Sequence, residues 1–291
     1  MDLFVQQTLA GISNGAIYAS LALAIVMIYQ AIDHINFAQG EMAMFSTYIA
    51  WTLIVRFDVP YWIAFGLTLV ISFLGGMLIE RIVFAPIHQA PALSHLLVFL
   101  GLYAIFNSLA GEIWGHTIKE FPSPFPDYSF GGLIGAHQVG TIVIVMFMLA
   151  AIYSFFKTTK LGLALRAVAS NPESARLVGI KVKWMRALGW GLAASLGSLS
   201  GMMIAPIVFL DPNMMGGILI YSFTAALIGG IDSPGGAVAG GFLVGVLENL
   251  VGTYVEFIGS ELKLTFALLL ITGTLLLKPN GLFGRKIVTR V

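Results

Sequence analysis

Apolar residues fall in long stretches along this chain, and polar residues collect in the gaps between them. Nine stretches stand out, at about residues 9–30, 40–55, 61–79, 93–113, 139–156, 188–209, 218–231, 237–257 and 262–277. A helix crosses a bilayer with about 20 mostly apolar residues. The pattern therefore predicts an all-α polytopic membrane helix bundle of about eight or nine spans, in a single domain over residues 1–291. Two stretches differ from the rest. Residues 218–231 are few and are bounded by Gly216-Gly217 and Gly229-Gly230, so they read either as a tilted span or as a re-entrant piece buried among other helices. Residues 40–55 begin on polar positions.

One long segment is neither apolar nor glycine-rich. It starts at Lys157 and carries Lys157, Lys160, Arg166, Arg176, Lys181, Lys183 and Arg186, seven of the fifteen basic residues. Its centre, Asn171-Pro172-Glu173-Ser174-Ala175, reads as a helix start. Asn171 is a capping residue, Pro172 suits the first turn because its missing N–H has no helical partner there, and Glu173 complements the positive end of the helix dipole. Gly179 then turns the chain. Since Lys and Arg in short loops mark the cytoplasmic side, residues 157–187 are expected to form a cytoplasmic loop, with the tail residues Lys278, Arg285, Lys286 and Arg290 on the same side. Residues 114–138, with Glu120 and Asp127 against Lys119 and with Pro122, Pro124 and Pro126, are expected outside. Nine spans with an outer amino terminus satisfy both ends.

Composition narrows the class. With 58% hydrophobic and 10% charged residues, the chain has too little polar surface for a soluble domain. The absence of cysteine excludes disulfides, zinc-thiolate sites and thiol catalysis. The segment MDLFVQQ has no basic region before its apolar run, so a cleaved signal peptide is not expected. Glycines four apart in apolar runs (Gly11 and Gly15, Gly197 and Gly201, Gly236 and Gly240, Gly241 and Gly245) read as close-packing devices between helices. No glycine-rich loop ends in Lys-Ser or Lys-Thr, no His/Glu zinc pattern occurs, and the five histidines are scattered. His88 and His95, around Pro91, read as ordinary interfacial residues. Neither a catalytic nor a metal site is expected.

Ionisable groups at membrane depth cost about 2.5 to 3.5 kcal/mol each on insertion scales, so each is a functional candidate. Between the first two stretches lies Asp33-His34-Ile35-Asn36-Phe37-Ala38-Gln39-Gly40-Glu41-Met42. It has two readings. In one it is an edge loop, with Asn36 as cap and Glu41 facing water. In the other it dips into the bundle, where a helix start offers N–H groups to a polar substrate. Glu248 and Asn249 lie in the middle of a span, so Glu248 must face a cavity, a partner subunit or a hydrogen-bond donor, or else hold a proton. Asn14 and Tyr18 share a helix face and either line the same cavity or hydrogen-bond between helices. Asn14, Asn36, Gln39, Glu41, Glu248 and Asn249 are the candidates for a translocation path.

Several words in the sequence resemble one family. Glu173-Ser174-Ala175-Arg176-Leu177-Val178-Gly179 is similar to the E-A-A-x-x-x-G loop by which permeases of bacterial ABC importers dock onto their ATPases, with Ser174 in place of the middle Ala. Asn36-Phe37-Ala38-Gln39-Gly40-Glu41-Met42, the run Ala169-Ser170-Asn171-Pro172-Glu173 leading to Gly179-Ile180, Gly229-Gly230-Ile231-Asp232-Ser233-Pro234-Gly235-Gly236 and Lys278-Pro279-Asn280-Gly281-Leu282-Phe283-Gly284 resemble the branched-chain amino acid ABC importer permeases, the shorter of the two subunits. The resemblance covers essentially the whole chain.

The resemblance implies a permease subunit that is not itself an enzyme and binds no cofactor, with ATP and Mg on separate ATPase subunits. It further implies a related permease as heterodimer partner, two cytoplasmic ATPases, a periplasmic or extracellular solute-binding protein, and a place in the lipid bilayer of the bacterial inner membrane, with no nucleic acid. Asn171, Pro172, Glu173, Ala175, Arg176 and Gly179 would then couple the chain to the ATPase, and leucine, isoleucine and valine are the expected substrates. Urea, amides or sugars within the same class remain alternatives, as does an ion-coupled secondary transporter using Glu41 or Glu248.

Overall fold

The computed structural model describes residues 2–259 and 261–284. The basic tail residues Arg285, Lys286 and Arg290 lie outside them. The described chain is almost wholly helical, in the order α1 (Asp2–Ile32), α2 (Gln39–Trp51), α3 (Tyr61–Ile79), α4 (Ala85–Ile87), α5 (Ala92–Trp114), α6 (Ala136–Thr158), α7 (Lys160–Ser170), α8 (Pro172–Leu177), α9 (Val182–Val208), α10 (Met215–Gly229), α11 (Pro234–Tyr254) and α12 (Lys263–Leu277). π-helical turns extend α2 over Thr52–Arg56 and join α3 to α4 over Glu80–Phe84. A two-residue hairpin, β1 (Ser129–Phe130) with β2 (Ile134–Gly135), precedes α6.

Each of the nine apolar stretches becomes helix. Six helical segments are long and apolar enough to cross a membrane, whereas α2, α10 and α12 have 13, 15 and 15 residues. Fifteen residues rise only about 22 Å, so these three fall short of a full crossing on their own. The first helix runs further than its apolar stretch at both ends, because nothing in Asp2–Thr8 breaks a helix. Residues 157–187, expected as a loop around one short helix, are mostly helical: α6 ends at Thr158, α7 and the expected short helix α8 follow, and α9 begins at Val182. The expected outer segment ends early, since α6 already starts at Ala136.

The chain divides into two compact units. One holds residues 1–26, 125–143 and 216–291; the other holds 27–124 and 144–215. In the first, α1 and α11 approach at backbone distance. A Cβ on Gly11 would lie 2.7 Å from the Val246 Cα and one on Gly15 2.8 Å from the Phe242 Cα, while Gly241 and Gly245 face Ala19 and Gly15 in turn. Where lipid gives apolar side chains no reason to leave it, such contact is how helices hold together. Here the four-residue glycine spacing is a packing device, as the sequence suggests. The closing segment also docks on this unit: Leu282 N donates to Ile228 O at 2.7 Å and Phe283 N to Gly229 O at 3.0 Å, so the last carbonyls of α10 find partners.

In the second unit α9 is the central helix. Gly76 of α3 sits against the Trp190 carbonyl, and Phe84, Phe99 and Trp190, all fully buried, stack with ring centroids 4.6 to 6.3 Å apart. Polar glue adds to it: Ser72 donates to Ser46 at 2.9 Å and Ser195 to the Leu69 carbonyl at 3.0 Å. At one end Lys119 and Leu210 exchange backbone hydrogen bonds of 2.9 Å, and Trp51 Nε1 donates to the Glu120 carbonyl at 3.0 Å. At that end the linkers after α5 and α9 are tied together.

Candidate functional site

Three groups of sequence-predicted residues occupy three places. The first is the short helix α8. Asn171 caps it, its Oδ1 accepting from Ser174 N at 2.9 Å, and Pro172 and Glu173 fill the first turn. Gly179 takes φ +84°, a left-handed turn that favours glycine, and Ile180 N returns to the Ala175 carbonyl at 3.0 Å. Ala175 is buried in a small core with Leu165, Val168, Val182 and Met185, which anchors α8 to α7 and α9. Past that anchor Leu177 and Val178 are 89% and 76% exposed. The segment thus combines a rigid base with an apolar tip that the other described residues leave uncovered. In the turn after α4 in the same unit, burial first, then Arg186 and His95, push His88 down to about 4, so its ring is neutral.

The second place is the start of α2. Asn36, Gln39 and Glu41 are all buried, Glu41 at 2% exposure, so the reading that has Glu41 facing water is incorrect. Nor is Asn36 the helix cap. That position belongs to Ala38, and Asn36 Oδ1 instead accepts from Ala38 N at 2.9 Å while its Nδ2 donates to Gln39 Oε1 at 3.1 Å. Gln39 Nε2 in turn donates to the carbonyl of Ala193, the twelfth of the 27 residues of α9. Glu41 meets Asn107, the sixteenth of the 23 residues of α5, whose Nδ2 donates to Glu41 Oε2 at 3.3 Å, to Pro212 O at 2.9 Å and to Asn213 Oδ1 at 3.3 Å. Helix α2 therefore begins half-way along its neighbours, which is why it is short and why its first residues are polar. Irregular backbone at such depth is tolerated where protein surrounds it. Tyr48, two turns further on, is fully buried; its ring stacks on Trp114 and its hydroxyl has no hydrogen-bond partner.

The third place is α11. Glu248, 7% exposed, accepts from the Tyr18 hydroxyl at 2.8 Å through Oε2 and faces Lys263 Nζ at 3.5 Å through Oε1. Glu248 thus meets the hydrogen-bond donor that the sequence calls for, with a lysine beside it. Tyr18 bridges helices as one sequence reading has it, and its ring also stacks on Tyr221 at 5.1 Å. Asn14, one turn earlier, is half-buried with no such bond, and Asn249 turns its amide back onto the Gly245 carbonyl of its own helix at 3.0 Å. His95, expected at an interface, is buried and stacked on His34 at 4.4 Å.

Sequence reasoning missed Asn107, Tyr48 and the loop Asp211-Pro212-Asn213. Asn107 stands alone in an apolar stretch and was a visible signal; the other two acquire meaning only from packing. Among the described residues no group of three His, Asp or Glu converges as metal ligands do.

Apolar helices of spanning length, packed on glycine and carrying hydrogen-bonded polar groups at depth, define a multi-pass membrane protein. Over residues 7–276 the chain matches the family described as "Branched-chain amino acid transport system / permease component". It belongs to that family. A probable branched-chain amino acid transport permease protein LivH of Methanocaldococcus jannaschii is 29% identical, over 91% of this chain and 87% of its own length. The high-affinity branched-chain amino acid transport system permease protein LivH of Salmonella typhimurium is 28% identical over 99% of this chain and 98% of its own. The autoinducer 2 import system permease protein LsrC of Escherichia coli is 27% identical over 59% of this chain and 47% of its own.

Proposed function

We propose that this chain is the permease subunit of an ATP-binding cassette importer that moves branched-chain amino acids inward across the bacterial inner membrane by alternating access. The observation that carries the reading is α8. A docking element must transmit force without deforming and must expose a surface to its partner; the Asn171 cap and the buried Ala175 supply the first, Leu177 and Val178 the second. Residues 157–187 then lie in the cytoplasm with the carboxyl terminus, and α8 seats in a groove of an ATPase subunit. Asn171, Pro172, Glu173 and Gly179 hold its shape and Arg176 orients it. ATP and Mg belong to two such ATPases. A related permease completes the path and an external solute-binding protein delivers substrate, for which residues 114–138 are the natural contact. Asn14, Asn36, Gln39, Glu41, Glu248 and Asn249 are the path candidates; of these, the burial and mid-depth position of Gln39 and Glu41 support a place on it best.

Replacing Gly179 by leucine forces a side chain into the left-handed region, at a cost of about 1 to 2 kcal/mol, in open space where no neighbour clashes. Uptake should fall while membrane insertion and folding persist. Normal ATP-coupled uptake in this variant overturns the docking role. A second reading, ion-coupled transport, is favoured by Glu41, which has no counter-charge among the described residues. Membrane vesicles separate the two, since uptake driven by an ion gradient without ATP or a binding protein selects the second. The LsrC relative widens the substrates to be tested beyond amino acids.

A further inference from the structure

We propose that Glu41, Asp211 and the hydroxyl of Tyr48 form a binding site for the α-ammonium group of the transported amino acid, with Asn107 as its positioning residue. The proposal rests on the amino-acid transport reading above. A primary ammonium carries three N–H donors and no acceptor, so a site for it is rich in acceptors and lacks a competing cation. The start of α2 has that composition. Among the described residues, the one hydrogen bond to the Glu41 side chain comes from the neutral amide of Asn107, and no basic side chain pairs with it. Asn107 ties the same spot to the loop after α9 through the Pro212 carbonyl and Asn213, which brings Asp211 into electrostatic range of Glu41. Among the described residues, the Asp211 side chain is itself bonded only to the Asn213 backbone N–H at 2.7 Å and has no cationic partner. Lys119, whose backbone pairs with Leu210, sends its ammonium elsewhere, to Thr117 Oγ1 at 3.1 Å and over the Trp51 ring.

Tyr48 is a second, independent observation at the same place. It is seven residues beyond Glu41 on the same face of α2, fully buried, within electrostatic range of Asp211, and its hydroxyl is unpaired. Buried hydroxyls are nearly always satisfied, and here the adjoining acceptors call for a donor. A substrate ammonium supplies one to the phenol oxygen and others to the two carboxylates, and neutralises charge that the protein leaves bare.

The test uses the full-length chain in lipid nanodiscs, with binding of tritiated leucine measured by scintillation proximity. Isopentylamine, which is leucine without its carboxylate, should displace the label; 4-methylpentanoate, which lacks the amino group, should not. Glu41→Gln and Asp211→Asn should each weaken leucine binding by about tenfold or more, the loss expected for one charge-assisted hydrogen bond. Tyr48→Phe should weaken it by about threefold to tenfold with an unchanged or higher melting temperature, so that a binding defect is not read as misfolding. The proposal is overturned by wild-type affinity in Glu41→Gln or Tyr48→Phe, by displacement with 4-methylpentanoate equal to that with the amine, or by no wild-type binding of leucine or the amine. A sodium-dependent thermal shift abolished by Glu41→Gln, with no effect of the amine, overturns it in favour of an inorganic cation. The transport reading is judged separately: cells with the intact importer that accumulate no labelled branched-chain amino acid overturn that reading, whereas normal accumulation with wild-type affinity in Glu41→Gln overturns the ammonium site alone.

Discussion

Two of the buried acids, Glu248 and Glu41, are held under different terms. Glu248 on α11 has a phenol at 2.8 Å, a lysine at 3.5 Å and a backbone framework in which α1 and α11 touch through glycine. Glu41 at the start of α2 has one neutral amide at 3.3 Å and an unpaired tyrosine two turns away. Burial alone does not tell these two acids apart; completeness of partnering does. A satisfied ion pair with a second donor has nothing left to offer a ligand. An acid left without a counter-charge carries a desolvation cost that a cationic ligand relieves.

The largest effect that sharpens this contrast is expected from Gly245→Leu. Its side chain would have to occupy the backbone of α1 at Gly15 and Gly11, and neither side can give way. The helices must separate, taking Tyr18 away from Glu248, at a cost of about 4 kcal/mol or more, the range kept for severe overpacking. Fluorescence-detected size exclusion should show little folded protein. A monodisperse variant with a wild-type melting curve would mean that the glycine contact does not hold the Glu248 site.

Next comes Lys263→Ala, which leaves Glu248 without its cation. Removing one partner of a fully buried pair costs about 3 to 5 kcal/mol. The Lys263 side chain is 26% exposed, so water screens part of the charge and about 2 kcal/mol is the better expectation. Thermal unfolding in detergent measures it. Uptake per folded molecule should stay at the wild-type level, since the partners of Glu248 lie on α1 and α12 and tie helices together. A stable variant with lost uptake would reverse the assignment and place Glu248 on the path.

The helical plan was legible because nine apolar stretches and a capped polar segment are local signals. Each stretch predicts a helix from its own residues, and Asn171-Pro172 with Gly179 marks both ends of α8 whatever surrounds it. The depth of α2 was not legible in that way. Polar residues at a span's start suit a water-facing edge as well as a buried half-helix, and only the bonds from Gln39 to Ala193 and from Asn107 to Glu41 decide between them. Fates of the two acids were hidden for the same reason. Lys263 is fifteen residues from Glu248 and Tyr18 is 230, so no local spacing announces that they meet. The extra length of α1 and the helix α7 were missed because polar residues with good helix propensity leave no mark in an apolarity pattern.

The smallest effect is also the most diagnostic, because it sets two tyrosines side by side. Tyr18→Phe removes a donor from a buried carboxylate and should cost about 1 to 2 kcal/mol, the usual value for a hydrogen bond to a charged group. Tyr48→Phe removes a hydroxyl that has no partner among the described residues, so its desolvation cost disappears and the melting temperature should stay level or rise. Uptake should move in the opposite sense, nearly unchanged for Tyr18→Phe once corrected for folded protein and reduced for Tyr48→Phe. Melting curves and uptake on the same two preparations make the measurement. If both variants lose stability and neither loses uptake, Tyr48 is an ordinary core residue and the difference between the two acids carries no functional meaning. If the losses divide as described, the unsatisfied hydroxyl is a place kept for substrate.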